Sequence, residues 1–225
     1  PGMPAYQVKH ETVTVGGALY LIRSLLDLRQ YADPLGEAAR AGISTASWPL
    51  FGQLWPSARI LAAAMQTFDL RGKRILEIGA GLALASLVIH SRAGDMVVSD
   101  YHPLSRVFLK ENLLLNRLGP LEYQTGNWEG SNPGLGLFNL IIGSDVLYER
   151  QQASQLAGFI DRHAAPAAEV IIVDPDRGNR AGLCREMVSR GHRYSGRRAA
   201  SFLENGDRFK GCFLTFINAA TLQCS

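Results

Sequence analysis

The chain has 225 residues, of which 47% are hydrophobic and 19% are charged, and its formal net charge is +3 at pH 7. This balance is typical of a globular protein with one α/β domain and one continuous core, and the weak charge argues against a nucleic-acid-binding protein. No apolar run reaches the roughly 18 residues that a membrane-spanning helix needs, and Cys184, Cys212 and Cys224 are too far apart to predict a zinc site, so we expect a cytoplasmic protein with reduced thiols.

Residues 1–50 are predicted to form an N-terminal extension built on a β-hairpin. Side chains alternate over residues 6–15 as in a strand, and Gly16-Gly17 accepts the positive φ angles of a hairpin turn. A second strand is predicted at residues 18–26 and is expected to run into a helix. This hairpin is too small to fold alone.

The remaining residues, 51–225, are predicted to form the main domain, in which strands and helices alternate as in parallel βαβ units. The runs ILEI, LIIG and VIIV are apolar on both faces, as buried parallel strands are. The last two strands have no helix between them, so we expect an antiparallel pair. Asn112 and Asn116, one turn apart on a predicted helix, are expected to be exposed or capping groups. The predicted helices span residues 56–68, 82–92, 104–118, 151–163 and 181–190, and the predicted strands span residues 74–78, 96–99, 121–125, 137–142, 169–173, 193–201 and 208–218.

The strongest local signal is the segment Glu77-Ile78-Gly79-Ala80-Gly81, which lies between a predicted strand and a predicted helix. A glycine-rich turn at such a place lets a ligand approach the backbone closely. A dinucleotide site would need a third glycine three positions after Gly81, where Leu84 stands. The acid two residues before the first glycine matches instead the ExGxG loop that binds S-adenosylmethionine (SAM), a ligand without a pyrophosphate.

An acid at the end of the next strand completes the expected cofactor site. Asp100 stands there, directly after Val97-Val98-Ser99. An ionised carboxylate accepts hydrogen bonds from both ribose hydroxyls at once, so Asp100 is the predicted ribose ligand. Taken alone, Asp100 fits a strand-end or helix-capping role equally well.

Four segments share a further pattern. Residues 54–62 read LWPSARILA, residues 72–81 read GKRILEIGAG, Asn127-Trp128 follows the third predicted core strand, and DVLY at residues 145–148 follows LIIGS. Over about residues 48–175 these segments resemble the motifs of the seven-β-strand protein lysine methyltransferases with a DxxY motif, also called methyltransferase family 16. The resemblance implies an α/β, Rossmann-like fold, with a seven-stranded, mostly parallel sheet and a C-terminal antiparallel hairpin. It also implies SAM as the methyl donor and S-adenosylhomocysteine as the product.

The resemblance also assigns roles to individual residues. Trp128 packs near the adenine, and Asn127 replaces the family's acid, so that its side-chain carbonyl accepts from the adenine amine. Trp55 lines the methionine end of the site, although ordinary core packing is the alternative for both tryptophans. Ala83 replaces a frequent glycine, which is tolerable if the backbone there is helical. Ala80, Tyr101 and Ser144 complete the predicted cofactor-binding residues.

Sheet topology places Asp145 and Tyr148 at the reacting end of the site. Ligands of open α/β sheets bind at the carboxyl ends of strands where the strand order reverses, here between the first and fourth core strands. Gly79 ends the first and Asp145 follows the fourth, so both are predicted to face one crevice. Attack on the methyl group needs a neutral amine, whereas the reference pKa of lysine is about 10.4.

Asp145 is therefore predicted to orient the amine or to pass its proton towards water, and Tyr148 to bond to the amine or stack on the side chain. The alternative is that Asp145 caps the next segment while Tyr148 packs. Arg177, after the fifth core strand, is expected to contact an acid of the substrate or to lie in a polar loop.

The predicted function is SAM-dependent methylation of a lysine side chain in a protein substrate. The alternatives are a small-molecule or nucleic-acid base N-methyltransferase, since a fold does not fix a function, and a non-catalytic SAM-binding module. The DxxY segment and the lack of a strong basic patch favour the first. No membrane or nucleic-acid partner and no metal ligand are predicted, because the five histidines show no metal-binding spacing.

Overall fold

The computed structural model describes residues 6–147, 152–199, 206 and 208–218, and its first element is an antiparallel hairpin. Strand β1 (Val8–Val15) pairs along its whole length with β2 (Ala18–Leu25). The turn between them has φ angles of 57° at Gly16 and 85° at Gly17, as the glycine pair predicted.

The segment after the hairpin differs from the prediction. Strand β2 does not run into a helix; the chain bends and turns until the four-residue helix α1 (Glu37–Arg40). A 3₁₀ helix at Trp48–Gly52 was not predicted, and its aromatic side chains Trp48 and Phe51 are buried.

A seven-stranded sheet forms the centre of the described part of the chain, in the order β5-β4-β3-β6-β7-β9-β8. All neighbours pair in parallel except β9, which is antiparallel to both β7 and β8. The α/β class, the mostly parallel sheet and the C-terminal antiparallel pair are therefore confirmed. The core strands are β3 (Arg74–Ile78), β4 (Asp95–Asp100), β5 (Glu122–Thr125), β6 (Phe138–Ser144), β7 (Ala164–Asp174), β8 (His192–Arg198) and β9 (Cys212–Asn218).

The five predicted helices are present and flank this sheet. Helix α2 starts at Pro56, where the missing N–H of proline costs no hydrogen bond, and it ends at Met65, before the predicted end. The helices are α2 (Pro56–Met65), α3 (Leu84–Ser91), α4 (Ser105–Leu115), α5 (Gln152–His163) and α6 (Arg180–Ser189).

The expectation of helical backbone at Ala83 is wrong. Its φ of 58° and ψ of 36° are left-handed, and α3 starts only at the next residue. Such a conformation costs an L-residue about 1–2 kcal/mol, which explains why a glycine suits this position. The tight turn is closed by a hydrogen bond of 2.7 Å from the Ala83 amide to the carbonyl oxygen of Ala80.

Two asparagines of α4 attach the N-terminal hairpin to the main domain. The Asn112 side chain accepts from the Arg23 amide at 2.7 Å and donates to the Arg23 carbonyl at 3.4 Å. Asn116 makes the same pair of bonds with Leu21, at 2.9 and 2.8 Å. Asn112 is fully buried, so the expectation of an exposed or capping group is wrong for it, whereas Asn116 does stand at the C-cap of α4.

The buried face of the hairpin belongs to the same apolar cluster as α2, α3 and the central strands. Val13, Tyr20 and Ile22 contribute to that cluster from the hairpin. The proposed division at residue 50 stays a prediction, because the extension and the main domain share this core.

The order of the sheet reverses between β3 and β6. From β3 the chain continues outward through β4 and β5, and it then returns to place β6 on the other side of β3. Ile78 of β3 lies beside Gly143 of β6, so the loops after these two strands start next to each other. This is the position at which open α/β sheets bind ligands.

Candidate active site

A cavity of about 460 Å³ lies at this reversal point. It has the size of a typical small-ligand site. Among the predicted site residues that the structure describes, only Glu77 does not line it, and Tyr148 lies outside the described residues. The predicted residues that the cavity brings together are Trp55, Gly79, Ala80, Gly81, Asp100, Tyr101, Asn127, Trp128, Ser144 and Asp145.

The turn after β3 needs glycine at two positions. Gly79 and Gly81 have φ angles of 54° and 53°. A Cβ atom on Gly81 would lie 2.9 Å from the carbonyl oxygen of Phe51, and one on Gly79 would lie 2.8 Å from Cγ1 of Val146. Because these two residues lack a Cβ atom, the 3₁₀ helix and the loop after β6 can contact the glycine turn directly.

Glu77 lies behind this turn rather than in the cavity. It is buried, and its Oε2 accepts hydrogen bonds from the backbone amide of Ser86, at 2.9 Å, and from the Ser86 hydroxyl. Burial raises the pKa of Glu77 to about 7, although the bonds from Ser86 oppose the rise. Glu77 thus holds the first turn of α3 against the glycine turn, and it does not contact the cavity directly.

Asp100 reaches the cavity from the end of β4. Its Oδ2 accepts from the Gly81 amide at 2.7 Å, and its Oδ1 accepts from the His102 amide at 2.8 Å. Burial raises the pKa of Asp100, and the two backbone hydrogen bonds lower it in part. The carboxylate is thereby fixed in one orientation at the carboxyl edge of the sheet.

An aromatic wall of the cavity was not predicted from the sequence. The rings of Phe51 and His102 stack with centroids 3.7 Å apart, and Trp48 meets His102 edge-on at 5.4 Å. Burial lowers the pKa of His102 to about 3, so the imidazole is neutral at pH 7. The only sequence signal was the aromatic content of residues 48–51, because a 3₁₀ helix has no apolar period of its own.

The loop after β5 supplies Asn127 and Trp128. The Asn127 side-chain oxygen accepts from the Glu129 amide at 3.0 Å, which forms a turn within the loop. Arg162 of α5 donates to the carbonyl oxygen of Trp128 at 3.0 Å and holds the loop in place. The side-chain carbonyl oxygen of Asn127 retains one lone pair for a ligand.

Asp145 lies at the other end of the cavity. Its φ is 54°, and its amide donates to the carbonyl oxygen of Val173 at 2.9 Å, so the backbone turns sharply out of β6. The Asp145 side chain is only 8% exposed, and its Oδ2 accepts from the guanidinium of Arg177 at 2.9 Å. Burial raises the pKa of Asp145, and the charge of Arg177 lowers it in part.

A second cavity of about 590 Å³ adjoins the first. Trp55, Asp145 and Arg177 line both cavities, so these three side chains form the boundary between them. Trp55 is fixed there by a hydrogen bond of 2.9 Å from its indole nitrogen to the carbonyl oxygen of Leu50. Asp145 therefore lies where the two cavities adjoin.

Within the described ranges, no group of three or more His, Cys, Asp or Glu side chains is arranged to hold a metal ion. None of the helices in those ranges is both long and apolar enough to span a membrane.

The part of the chain that carries this site is similar in sequence to known proteins. A family model described as lysine methyltransferase matches residues 46–182. The chain is 29% identical over 137 residues to the calmodulin-lysine N-methyltransferase of Arabidopsis thaliana, a match that covers 56% of this chain and 45% of that protein. It is 26% identical over 133 residues to the electron transfer flavoprotein beta subunit lysine methyltransferase of Xenopus laevis, with coverage of 57% and 53%. The chain thus spans about half the length of these curated relatives.

Among solved structures, a methyltransferase from Pyrococcus furiosus has a similar fold. The TM-score is 0.58 at 16% sequence identity, and the match covers 74% of this chain and 87% of that chain. At this identity the similarity concerns the fold alone, and it confirms the Rossmann-like methyltransferase architecture.

Proposed function

Because the chain belongs to the lysine methyltransferase family, we propose that it transfers a methyl group from SAM to a lysine side chain of a protein. The resemblance seen in the motifs of residues 48–175 is thereby confirmed at the level of the family. The observation that carries the proposal is one cavity that joins the glycine turn after β3, the acid after β4 and the acid after β6.

The charges of the first cavity fit a sulfonium ligand. The described part of its lining contains three acids, Asp100, Glu129 and Asp145, and one cation, Arg177, which is already paired with Asp145. His102, which also lines the cavity, is neutral at pH 7. This excess of negative charge favours a cationic ligand over a pyrophosphate, and it supports SAM over a dinucleotide.

On this proposal, most of the predicted residues have a place along the donor. The backbone at Gly79 and Gly81 lets the amino-acid part approach closely, and Asp100 accepts from the ribose hydroxyls. Trp128 and Asn127 stand at the adenine end, and Trp55 stands at the methyl end. Glu77 acts indirectly, by holding the start of α3 against the glycine turn.

The acceptor amine is proposed to meet the donor at Asp145. When SAM is bound, it supplies an electrophilic methyl group whose bond to sulfur breaks as the bond to the lysine nitrogen forms. The carboxylate of Asp145 attracts the incoming ammonium, orients it and accepts a hydrogen bond from it as the proton leaves towards water. The partly dry surroundings and the nearby sulfonium charge favour the neutral amine.

Tyr148 remains a proposed contact of the acceptor, based on the family resemblance. The proposed cytoplasmic location is supported by the free thiols of Cys184 and Cys212.

Two measurements test the function in sequence. Calorimetry with SAM and S-adenosylhomocysteine tests the donor site, and we expect both to bind. A tritiated-methyl assay on a cell lysate then identifies the acceptor class, and we expect labelled protein that mass spectrometry traces to lysine. Label in RNA or in small molecules would show that the acceptor is not a protein. Binding of SAM without any labelled product would indicate a non-catalytic module.

Asp145→Asn and Asp176→Asn form a matched pair for this assay. Both positions have positive φ, at 54° and 68°, and asparagine tolerates that conformation well. Asp176 pairs with Arg180 and does not line either cavity. We expect Asp145→Asn still to bind SAM but to lose about 10²–10⁴-fold in transfer rate, with Asp176→Asn close to wild type. Full activity of Asp145→Asn would remove Asp145 from the mechanism.

A further inference from the structure

The second cavity is basic. Among the described residues that line it, three are cations, Arg177, Arg208 and Lys210, and one is an acid, Asp145. Arg208 and Lys210 are exposed, and no ion pair within the described part of the chain involves either side chain. The approach to Asp145 thus presents positive charge to the acceptor, although the acceptor group itself is a cation.

Arg177 occupies the place where an acceptor ammonium would bind. Its guanidinium lies 2.9 Å from the Asp145 carboxylate, and its central carbon lies 5.5 Å from the centre of the Trp55 ring. A carboxylate and an indole face are the surroundings that also attract a lysine ammonium. Arg177 therefore competes with the substrate for Asp145, and its side chain is 47% exposed, so solvent and ligands reach it.

We propose, as an extension of the proposed lysine methylation, that the second cavity receives an acceptor segment with an acidic side chain next to the target lysine. The acid pairs with Arg177 and draws it from Asp145, and the lysine takes the vacated position. Arg208 and Lys210 bind further carboxylates of the segment. The exchange keeps the number of ion pairs constant. One ion pair within the enzyme and one within the acceptor become two ion pairs between the enzyme and the acceptor.

This exchange gives the site a sequence preference. A lysine flanked by neutral residues is repelled by the three cations, and Arg177 stays paired with Asp145. The acids that flank a lysine are instead attracted by these cations, and they draw Arg177 away from Asp145. The outer pairs are exposed and therefore sensitive to salt. An RNA strand also carries negative charge, but it offers no ammonium to replace Arg177 on Asp145, so the geometry favours an acidic protein segment.

Two synthetic peptides test the preference, with S-adenosylhomocysteine present. One is Ac-Gly-Asp-Asp-Lys-Asp-Asp-Gly-NH₂, and the other has Asn in place of every Asp. By calorimetry we expect the acidic peptide to bind about ten-fold more tightly, because two or three partly exposed ion pairs add together. The preference should decrease when the ionic strength rises from about 0.05 M to about 0.5 M.

A matched pair of double variants locates the effect. Arg208→Gln/Lys210→Gln removes the outer charges of the second cavity, and we expect the preference to fall to about two-fold. Arg71→Gln/Lys73→Gln removes an Arg-x-Lys pair with the same spacing. This pair precedes β3 and therefore lies at the amino ends of the strands, away from both cavities, so the preference should remain. Thermal unfolding of both variants checks that the fold is intact.

Equal affinity for the two peptides, including no measurable binding of either, would overturn the proposal. So would a preference that persists in Arg208→Gln/Lys210→Gln, or tighter binding of a ten-nucleotide oligouridylate than of the acidic peptide. The lysate assay is independent of these titrations. Labelled lysines together with equal peptide affinities would refute the acid preference and leave lysine methylation standing, whereas acid preference without SAM binding would refute the proposed function.

Discussion

Replacing Glu77 by Gln should stabilise the protein at alkaline pH. Glu77 is 2% exposed, and both bonds that it accepts come from Ser86. Glutamine has almost the same shape, and its carbonyl oxygen accepts the same two bonds. The substitution therefore removes the charge and leaves the packing of α3 on the glycine turn.

The magnitude follows from the pKa of Glu77, which burial raises from 4.5 to about 7. One pKa unit corresponds to about 1.36 kcal/mol, so the ionised carboxylate costs the folded state about 3 kcal/mol. Since the folded protein holds this proton more tightly than the unfolded chain, the stabilisation is present below pH 4.5 and is lost as the pH rises through 7. The advantage of Glu77→Gln should thus grow by about 3 kcal/mol between pH 4.5 and pH 8.5.

Urea unfolding of wild type and Glu77→Gln at several pH values measures this difference directly, and other titrating groups cancel in the subtraction. Glu111→Gln, the same change on the exposed face of α4, serves as the control for the loss of one negative charge. A Glu77→Gln difference that stays constant within about 0.5 kcal/mol from pH 4.5 to 8.5 would refute the assigned cost of burial.

Three further predictions concern stability and ligand binding. Burial lowers the pKa of His102 to about 3, so wild type should lose about 2 kcal/mol between pH 6.5 and pH 5 as the unfolded chain takes up a proton; urea unfolding of His102→Phe should show no such loss, and a parallel decline in both proteins would contradict the assignment. Asn112→Ala leaves two backbone groups of β2 without their partner, which should lower the free energy of unfolding by about 1–3 kcal/mol. Limited proteolysis should then cut within residues 8–25, and unchanged resistance would contradict the role of Asn112 in attaching the hairpin. Gly81→Ala places a Cβ atom 2.9 Å from a carbonyl oxygen at positive φ, whereas Gly72→Ala has positive φ but nothing within 4 Å; calorimetry should find weakened SAM binding only for Gly81→Ala, and equal affinities would show that the close contact does not matter.

The parts of the fold that the sequence predicted are those with a repeated local signal. The central strands are apolar on both faces and sit between helices with helical periodicity. Strands β3 and β6 were therefore placed within two residues of their observed bounds, whereas β7 begins five residues before the predicted start. The glycine turn was recognisable because Gly79 and Gly81 stand where L-residues with a side chain would be strained. Ala83 adopts the same left-handed region, and an alanine gives no sign of it.

The parts that the sequence did not predict depend on contacts between distant segments. Asn112 was taken for a surface or capping group because it is polar, yet its partner is the backbone of Arg23, 89 residues earlier in the chain. The stacking of Phe51 on His102 likewise joins a 3₁₀ helix to the loop after β4, and no local pattern indicates such a contact. The pairing of Asp145 with Arg177 connects two loops, and only the folded sheet brings them together.

A crystal structure of the protein with S-adenosylhomocysteine bound would show where the methyl donor binds. We propose that the glycine turn after β3, the predicted ribose ligand Asp100 and Asp145 surround one donor molecule. We expect density for the ligand over Gly79 and Gly81, with its hydroxyls on Asp100 and its sulfur turned towards Asp145. Density in another part of the molecule, or a sulfur directed away from Asp145, would contradict it.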